Sequence, residues 1–215
     1  MGLQSFKAFL EHGGLSSGLI ILTAIGLLVL SIDRIATLYM KMSFDSKAIL
    51  IKIKDTVLQR RYNQALQICN QQAENPELFV IRSGILAAEN GREAMKSALS
   101  EAVLKISHRC ETRLVFLSLI ASAATLLGLL GTISGLIKTF SGLAAADAAE
   151  KSKLLGSGIA EAMNATAMGL FLGLIAMFIH TLCVSRADHL IAKAQSAALN
   201  LCNWIEEAER FKKHG

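Results

Sequence analysis

Two threonines and a glutamate stand out because they sit in stretches of this chain too apolar for water. Thr132 lies within a charge-free run of 24 residues from Leu114 to Ile137; Glu161 and Thr166 lie within a second apolar block, Leu154–Ser185, interrupted only by Glu161 and His180. Hydroxyls orient water or coordinate a dehydrated cation, but they stay protonated near neutral pH and store no proton. A carboxylate does store one. In lipid it costs about 2.5–3.5 kcal/mol on insertion scales, so it turns to a protein interior or to water. Glu161 is thus a candidate for ion handling, although near the outer end of its block it also fits a plain interfacial position. Thr166 comes five residues later, a rotation of about 140°, so the two share no face. No titratable group stands at the depth of the threonines, and a proton path built from this chain needs a carboxylate from another polypeptide. His180 fits a proton relay or an interfacial histidine.

The spacing around the threonines is regular. Ser118, Ser122, Thr125, Gly128, Thr132, Gly135 and Thr139 recur at steps of three and four, as do Thr166, Gly169, Gly173, Ala176 and His180. Each set draws a small, hydroxylated stripe along one helix face, with Leu, Ile and Phe on the others. Two readings share the pattern. Small residues let helices pack closely, and Gly131-x-x-x-Gly135 alone fits that use. The stripes also fit a conducting path. Two such helices cannot enclose a pore, but several copies in a ring can, with Thr132 and Thr166 facing the middle.

The elements that carry these residues follow from hydropathy. Mean hydropathy is +0.46 and only 18% of residues are charged, too few for a soluble domain of this size. The apolar residues gather in three blocks, Leu15–Ile32, Leu114–Ile137 and Leu154–Ser185, and each is long enough to cross a bilayer core of about 30 Å. The start has one lysine and no small-x-small cleavage site before Asp33-Arg34, so the first block is expected to be a retained span. Arg34–Arg113 holds 13 of the 22 Lys and Arg, the tail after Ser185 five, Lys138–Gly158 three, and the N-terminus only Lys7. Positive-inside then predicts a periplasmic N-terminus and a cytoplasmic C-terminus. The order is an outer segment (1–14), a first span (15–35), a cytoplasmic helical region (36–113), a second span (114–137), a short outer loop (138–157), a third span (158–185) and a cytoplasmic helix (186–215). Cys69, Cys110, Cys183 and Cys202 show no C-x-x-C pairing and no metal spacing with histidine, which predicts free reduced thiols.

Between the spans the pattern is helical. Phe6, Phe9 and Leu10, with Lys7 and Glu11, predict an interfacial turn before Gly13-Gly14. Ile49, Ile53, Val57, Leu66 and Cys69 predict one amphipathic helix; Asn75 is the expected N-cap of another, with Pro76 at its first position. That helix ends at Glu89-Asn90-Gly91. From Arg92 the pattern restarts, and with no Gly or Pro to stop it before the span it predicts a continuous helix to Ile137, roughly 69 Å long. The third span likewise continues through Leu190, Ala194, Ala197, Leu201, Ile205 and Ala208. The expected fold is an all-α polytopic membrane protein: three spanning helices, two of them extended far into the cytoplasm and packed with a helical insertion.

Leu127-Gly128-Leu129-Leu130-Gly131-Thr132-Ile133-x-Gly135 and Gly158-Ile159-Ala160-Glu161-Ala162-x-x-Ala165-Thr166-Ala167-x-Gly169-Leu170 resemble the two signature helices of the ExbB/TolQ/MotA proton-channel family. Three spans and a short first segment are similar to its ExbB/TolQ branch. The resemblance implies a homopentamer in a Gram-negative inner membrane, around two copies of a single-span partner like ExbD or TolR whose membrane aspartate carries the ion. It implies that Thr132 and Thr166 line the ion path, with Glu161 at its outer entrance, while Gly128, Gly131, Gly135, Gly169 and Gly173 pack the helices. Ion flow would then turn pentamer and dimer against one another and drive outer-membrane import, envelope maintenance or gliding. Moving one charge through 100 mV yields about 2.3 kcal/mol. Relatives carry prolines where this chain has Thr125, Ser157 and Ile175, and its extra hydroxyls and Asn164 leave Na⁺ open beside H⁺.

Other classes are disfavoured. There is no Ser-His-Asp set, no H-E-x-x-H and no Walker loop, so no catalytic residues, metal or cofactor are expected and the chain does not read as an enzyme. The positive charge follows topology rather than one soluble face, which argues against nucleic acid. Inverted repeats of a self-contained transporter are missing. A non-conducting structural oligomer is the remaining rival.

Overall fold

The computed structural model describes residues 14–42, 46–72, 74–143 and 147–214. The interfacial turn expected at Phe6, Phe9 and Leu10 lies outside the described residues. All described elements are helical, and three stretches, Gly18–Lys41, Arg92–Leu143 and Glu150–Arg210, are long and apolar enough to cross a membrane. The chain is an all-α polytopic membrane protein.

Helix α1, Gly14–Ile35, runs into a π-helical turn, Ala36–Lys41. The single amphipathic helix expected from Ile49 to Cys69 is instead two, α2 Lys47–Leu58 and α3 Tyr62–Asn70. They part at Arg60, which takes the left-handed conformation (φ 58°) and donates a guanidinium hydrogen bond to the Ala208 carbonyl at 3.3 Å. Helix α4, Pro76–Ala88, begins where Asn75 Oδ1 accepts from the backbone N–H of Glu77 (2.9 Å) and Leu78 (3.3 Å). Those two donors have no partner within the helix, so N75A should cost about 1 kcal/mol and lower the thermal midpoint by a few degrees. Circular dichroism melts in detergent would measure it.

The continuous helix expected from Arg92 to Ile137 is also broken. Helix α5 ends at Glu111 and α6 runs Leu114–Leu143, with extended backbone at Thr112 and a left-handed Arg113 (φ 67°) between them. The freed carbonyl of Thr112 accepts a hydrogen bond from Arg34 Nη1 at 2.7 Å, and Arg113 pairs with Asp33 at 2.9 Å. The last helix, α7, Ala148–His214, is unbroken over 67 residues. Because α6 runs to Leu143 and α7 starts at Ala148, most of the loop drawn at 138–157 is helix.

The chain divides into two compact units. One holds Arg34–Thr112 and the chain after Leu182. Its core stacks Ile53 and Val57 of α2, Leu78 and Ile81 of α4 and Ile106 of α5 with Leu190 and Leu201 of α7. A Cβ on Gly84 would come within 2.6 Å of both Leu99 and Leu201, so any side chain there would have to displace these two leucines of α5 and α7.

Cys69 and Cys110 are buried here, and loss of solvent pushes each thiol up to about 11, against the opposing pull of Arg82 on Cys69 and of Arg109 on Cys110. At pH 8 about one thiol in a thousand is then ionised, against roughly a quarter of an ordinary exposed thiol. Maleimide labelling of both should lag that of half-exposed Cys202 by more than about 100-fold and speed up as pH rises towards 11. Mass spectrometry of the labelled peptides reads this directly.

The other unit holds α1 up to Asp33, α6 and the first half of α7. Ile20 of α1 packs with Leu127 of α6 and with Ala165, Met168 and Leu172 of α7. Leu22, Ile25, Leu28, Val29 and Ile32 stay exposed on the opposite side of α1, a face suited to acyl chains.

Candidate functional site

The site forms where α6 and α7 run antiparallel with their backbones nearly touching. A Cβ on Gly128 would lie 3.0 Å from the Gly169 Cα, and one on Gly169 would lie 2.6 Å from the Gly128 Cα and from the Ala124 carbonyl oxygen. Beyond that crossing, Gly135 meets Ala162, Gly158 meets the Thr139 side chain, and Gly173 meets Thr125 and the Ala121 carbonyl. Gly131 is buried. The two stripes read from the sequence therefore face one another within a single chain, with Gly128, Gly135, Gly169 and Gly173 at the contact.

Thr132 and Thr166 flank this seam with their hydroxyls in direct contact. Thr166 Oγ1 donates to the Gly128 carbonyl at 3.0 Å, while the Gly128 and Ala162 carbonyls lie 3.4 Å from Thr132 Oγ1. Both threonines are half-buried, at the edge of the seam rather than its centre. Buried Gly128, Ala162, Ala165 and Gly169 fill the middle, so the hydroxyl pair keeps one side open.

Ala162 escaped the sequence reading, although its carbonyl is an acceptor of the pair. Its signal was present in its spacing, four residues before Thr166, but a side chain cannot advertise a carbonyl.

Glu161 takes another side. It precedes Ala165, Met168 and Leu172 by four, seven and eleven residues, which places it on the face of α7 that packs on Ile20 of α1. It is half-buried and is not brought to the hydroxyl pair. Asn164 is exposed, about 200° around α7 from Thr166, so its amide does not join the hydroxyls either. His180 is half-buried fourteen residues beyond Thr166, about 21 Å along the axis. Among the described residues no cluster of His, Cys, Asp and Glu is arranged to hold a metal ion.

What the arrangement offers chemically is a pair of neutral oxygens within the apolar stretches of both helices, with backbone carbonyls directly behind them and no charge of its own. A model of the MotA/TolQ/ExbB proton channel family matches residues 53–196, which takes in α6, the site and most of α7. No curated protein matches the chain.

Proposed function

Because the chain belongs to the MotA/TolQ/ExbB proton channel family, we infer that it is the channel-forming subunit of an ion-driven motor of the ExbB/TolQ type. The observation that carries this reading is the Thr132–Thr166 hydroxyl pair, placed at the edge of the helix seam where it is left open to a further polypeptide. Among the described residues one candidate span, Gly18–Lys41, comes ahead of the hydrophilic stretch, an arrangement similar to that of the ExbB/TolQ branch. In this reading several copies, five by family analogy, form a ring in a Gram-negative inner membrane with the threonines turned inward. The α2–α5 region and the C-terminus lie in the cytoplasm, as the basic residues between Arg34 and Arg113 favour. Two copies of an ExbD/TolR-like single-span subunit sit within the ring and bring a membrane aspartate to the hydroxyls.

The division of labour follows from chemistry. Thr132 and Thr166 replace water around a proton carrier in a low-dielectric setting, where a fixed dipole counts for more than in solution. The aspartate stores the proton between the two sides. Each cycle of protonation moves the partner relative to the ring, and its periplasmic part performs work on import, envelope maintenance or gliding. Glu161, lying against α1, would act on the ring's own packing or outer mouth rather than in contact with the carried ion.

The rival is a non-conducting structural oligomer, and the glycine crossing taken alone favours it, because close packing needs no ion. Replacing Thr132 and Thr166 together with alanine separates the two, since the seam is closed by glycines and not by the hydroxyls. Loss of flux with assembly intact supports the channel; retained flux removes it.

A further inference from the structure

Asn164 is an amide placed badly for lipid. Lys153 and Arg186 bound the uncharged part of α7, apart from Glu161, and the helix between them spans about 50 Å, of which about 30 Å is hydrocarbon. With the hydrocarbon centred between the two charges, Asn164, about 17 Å in from Lys153, falls within that layer. It is exposed, and its side chain makes no hydrogen bond among the described residues. An unsatisfied amide in that medium costs free energy that a partner on another helix recovers.

The same depth on α6 holds one candidate acceptor. Gly128 is level with Gly169 and Gly135 with Ala162, so residue 134 is level with residues 163–164. Ser134 is exposed there and donates its own proton to the Gly131 carbonyl at 3.2 Å, which leaves its lone pairs free to accept. Asn164 precedes Thr166 by two residues and Ser134 follows Thr132 by two. Each is therefore about 200° around its helix from the threonine pair. Residues so placed cannot meet within one chain, but copies related by an axis along the membrane normal keep the same depth.

We propose that the Asn164 amide of one copy donates to the Ser134 hydroxyl of a second copy, joining α7 of one to α6 of the next on the side away from the threonines. The occupant of this face is a second copy of the chain rather than the single-span partner, whose place is at the hydroxyl pair. The proposal rests on the homo-oligomeric reading above and names the contact that closes the ring.

The test places p-benzoylphenylalanine at 164 in the full chain and irradiates intact membranes. An adduct of two copies, attached to a peptide that contains residue 134, is the expected result. An adduct with lipid or with a different polypeptide only, while the wild-type oligomer is intact by native mass spectrometry, overturns it. A second measurement follows dissociation of the oligomer with heat in detergent. N164L and S134A should each lower the midpoint by several degrees, and the double variant should be no worse than the poorer single one; additive losses overturn the pairing. Should the wild type run as a single copy, the homo-oligomeric reading falls with the contact. Should T132A/T166A lose flux while position 164 couples elsewhere, only the contact falls.

Discussion

In the double variant T132A/T166A, ion-driven flux through reconstituted vesicles should fall about 100-fold while the assembly stays intact. Removing one preorganised polar group from a water-excluded site costs about 10²–10³ in rate in enzymes, and an ion leaving water faces the same arithmetic. Alanine keeps the Cβ of each threonine, so the seam at Gly128 and Gly169 closes as before. The hydroxyl bonds lost, to the Gly128 and Ala162 carbonyls, are second bonds for acceptors already engaged in the helix, and their loss costs about 1 kcal/mol each. Serine supplies the control: T132S/T166S keeps both oxygens and should keep most of the flux. Size-exclusion profiles and dye-reported proton uptake under a potassium diffusion potential make the measurement. Unchanged flux in an intact alanine assembly would sink the channel reading.

The second large effect is expected at Gly169. Any side chain there meets backbone, with the Gly128 Cα and the Ala124 carbonyl oxygen 2.6 Å from the new Cβ and the Gly128 nitrogen at 2.9 Å. Backbone cannot turn aside as a flexible side chain can, so α6 and α7 must separate. The separation forfeits dispersion along the seam and parts the hydroxyl pair, for a cost of about 3 kcal/mol or more in G169V. Gly156 lies on the same helix with nothing within 4 Å of its Cβ, so G156V carries the same change in helix propensity without the clash. G169V should lose the folded assembly at moderate temperature and G156V should not. Equal melting curves would mean that the two helices do not touch at this point.

The periodic features of this chain were readable because they repeat. Steps of three and four marked the seam faces, and a five-residue offset was enough to set Glu161 apart from Thr166. Asn75-Pro76 announced a helix start because cap chemistry is local. The breaks at Arg60 and at Thr112-Arg113 were not readable. Neither site carries Gly or Pro, and a left-handed arginine costs roughly 1–2 kcal/mol. What offsets that cost is distant in sequence: the Ala208 carbonyl for Arg60, Asp33 for Arg113, and Arg34 for the carbonyl of Thr112. Helical periodicity contains nothing about such partners. The pairing of Thr132 with Thr166 inside one chain was hidden for a related reason. A stripe shows which face is special, but not which other stripe it will meet.

The hydroxyl pair has one more property, visible once its protons are assigned. Thr166 Oγ1 can donate to the Gly128 carbonyl, Thr132 Oγ1 to the Gly128 or Ala162 carbonyl, and either hydroxyl to the other. With both protons turned to these inward acceptors, the outward surface presents lone pairs alone. Such a surface repels a carboxylate and welcomes a carboxylic acid, a hydronium or a bare metal cation. An acidic side chain that arrives protonated finds acceptors at once, whereas an ionised one requires a threonine proton to turn outward, so the pair favours the loaded form of whatever carrier visits it.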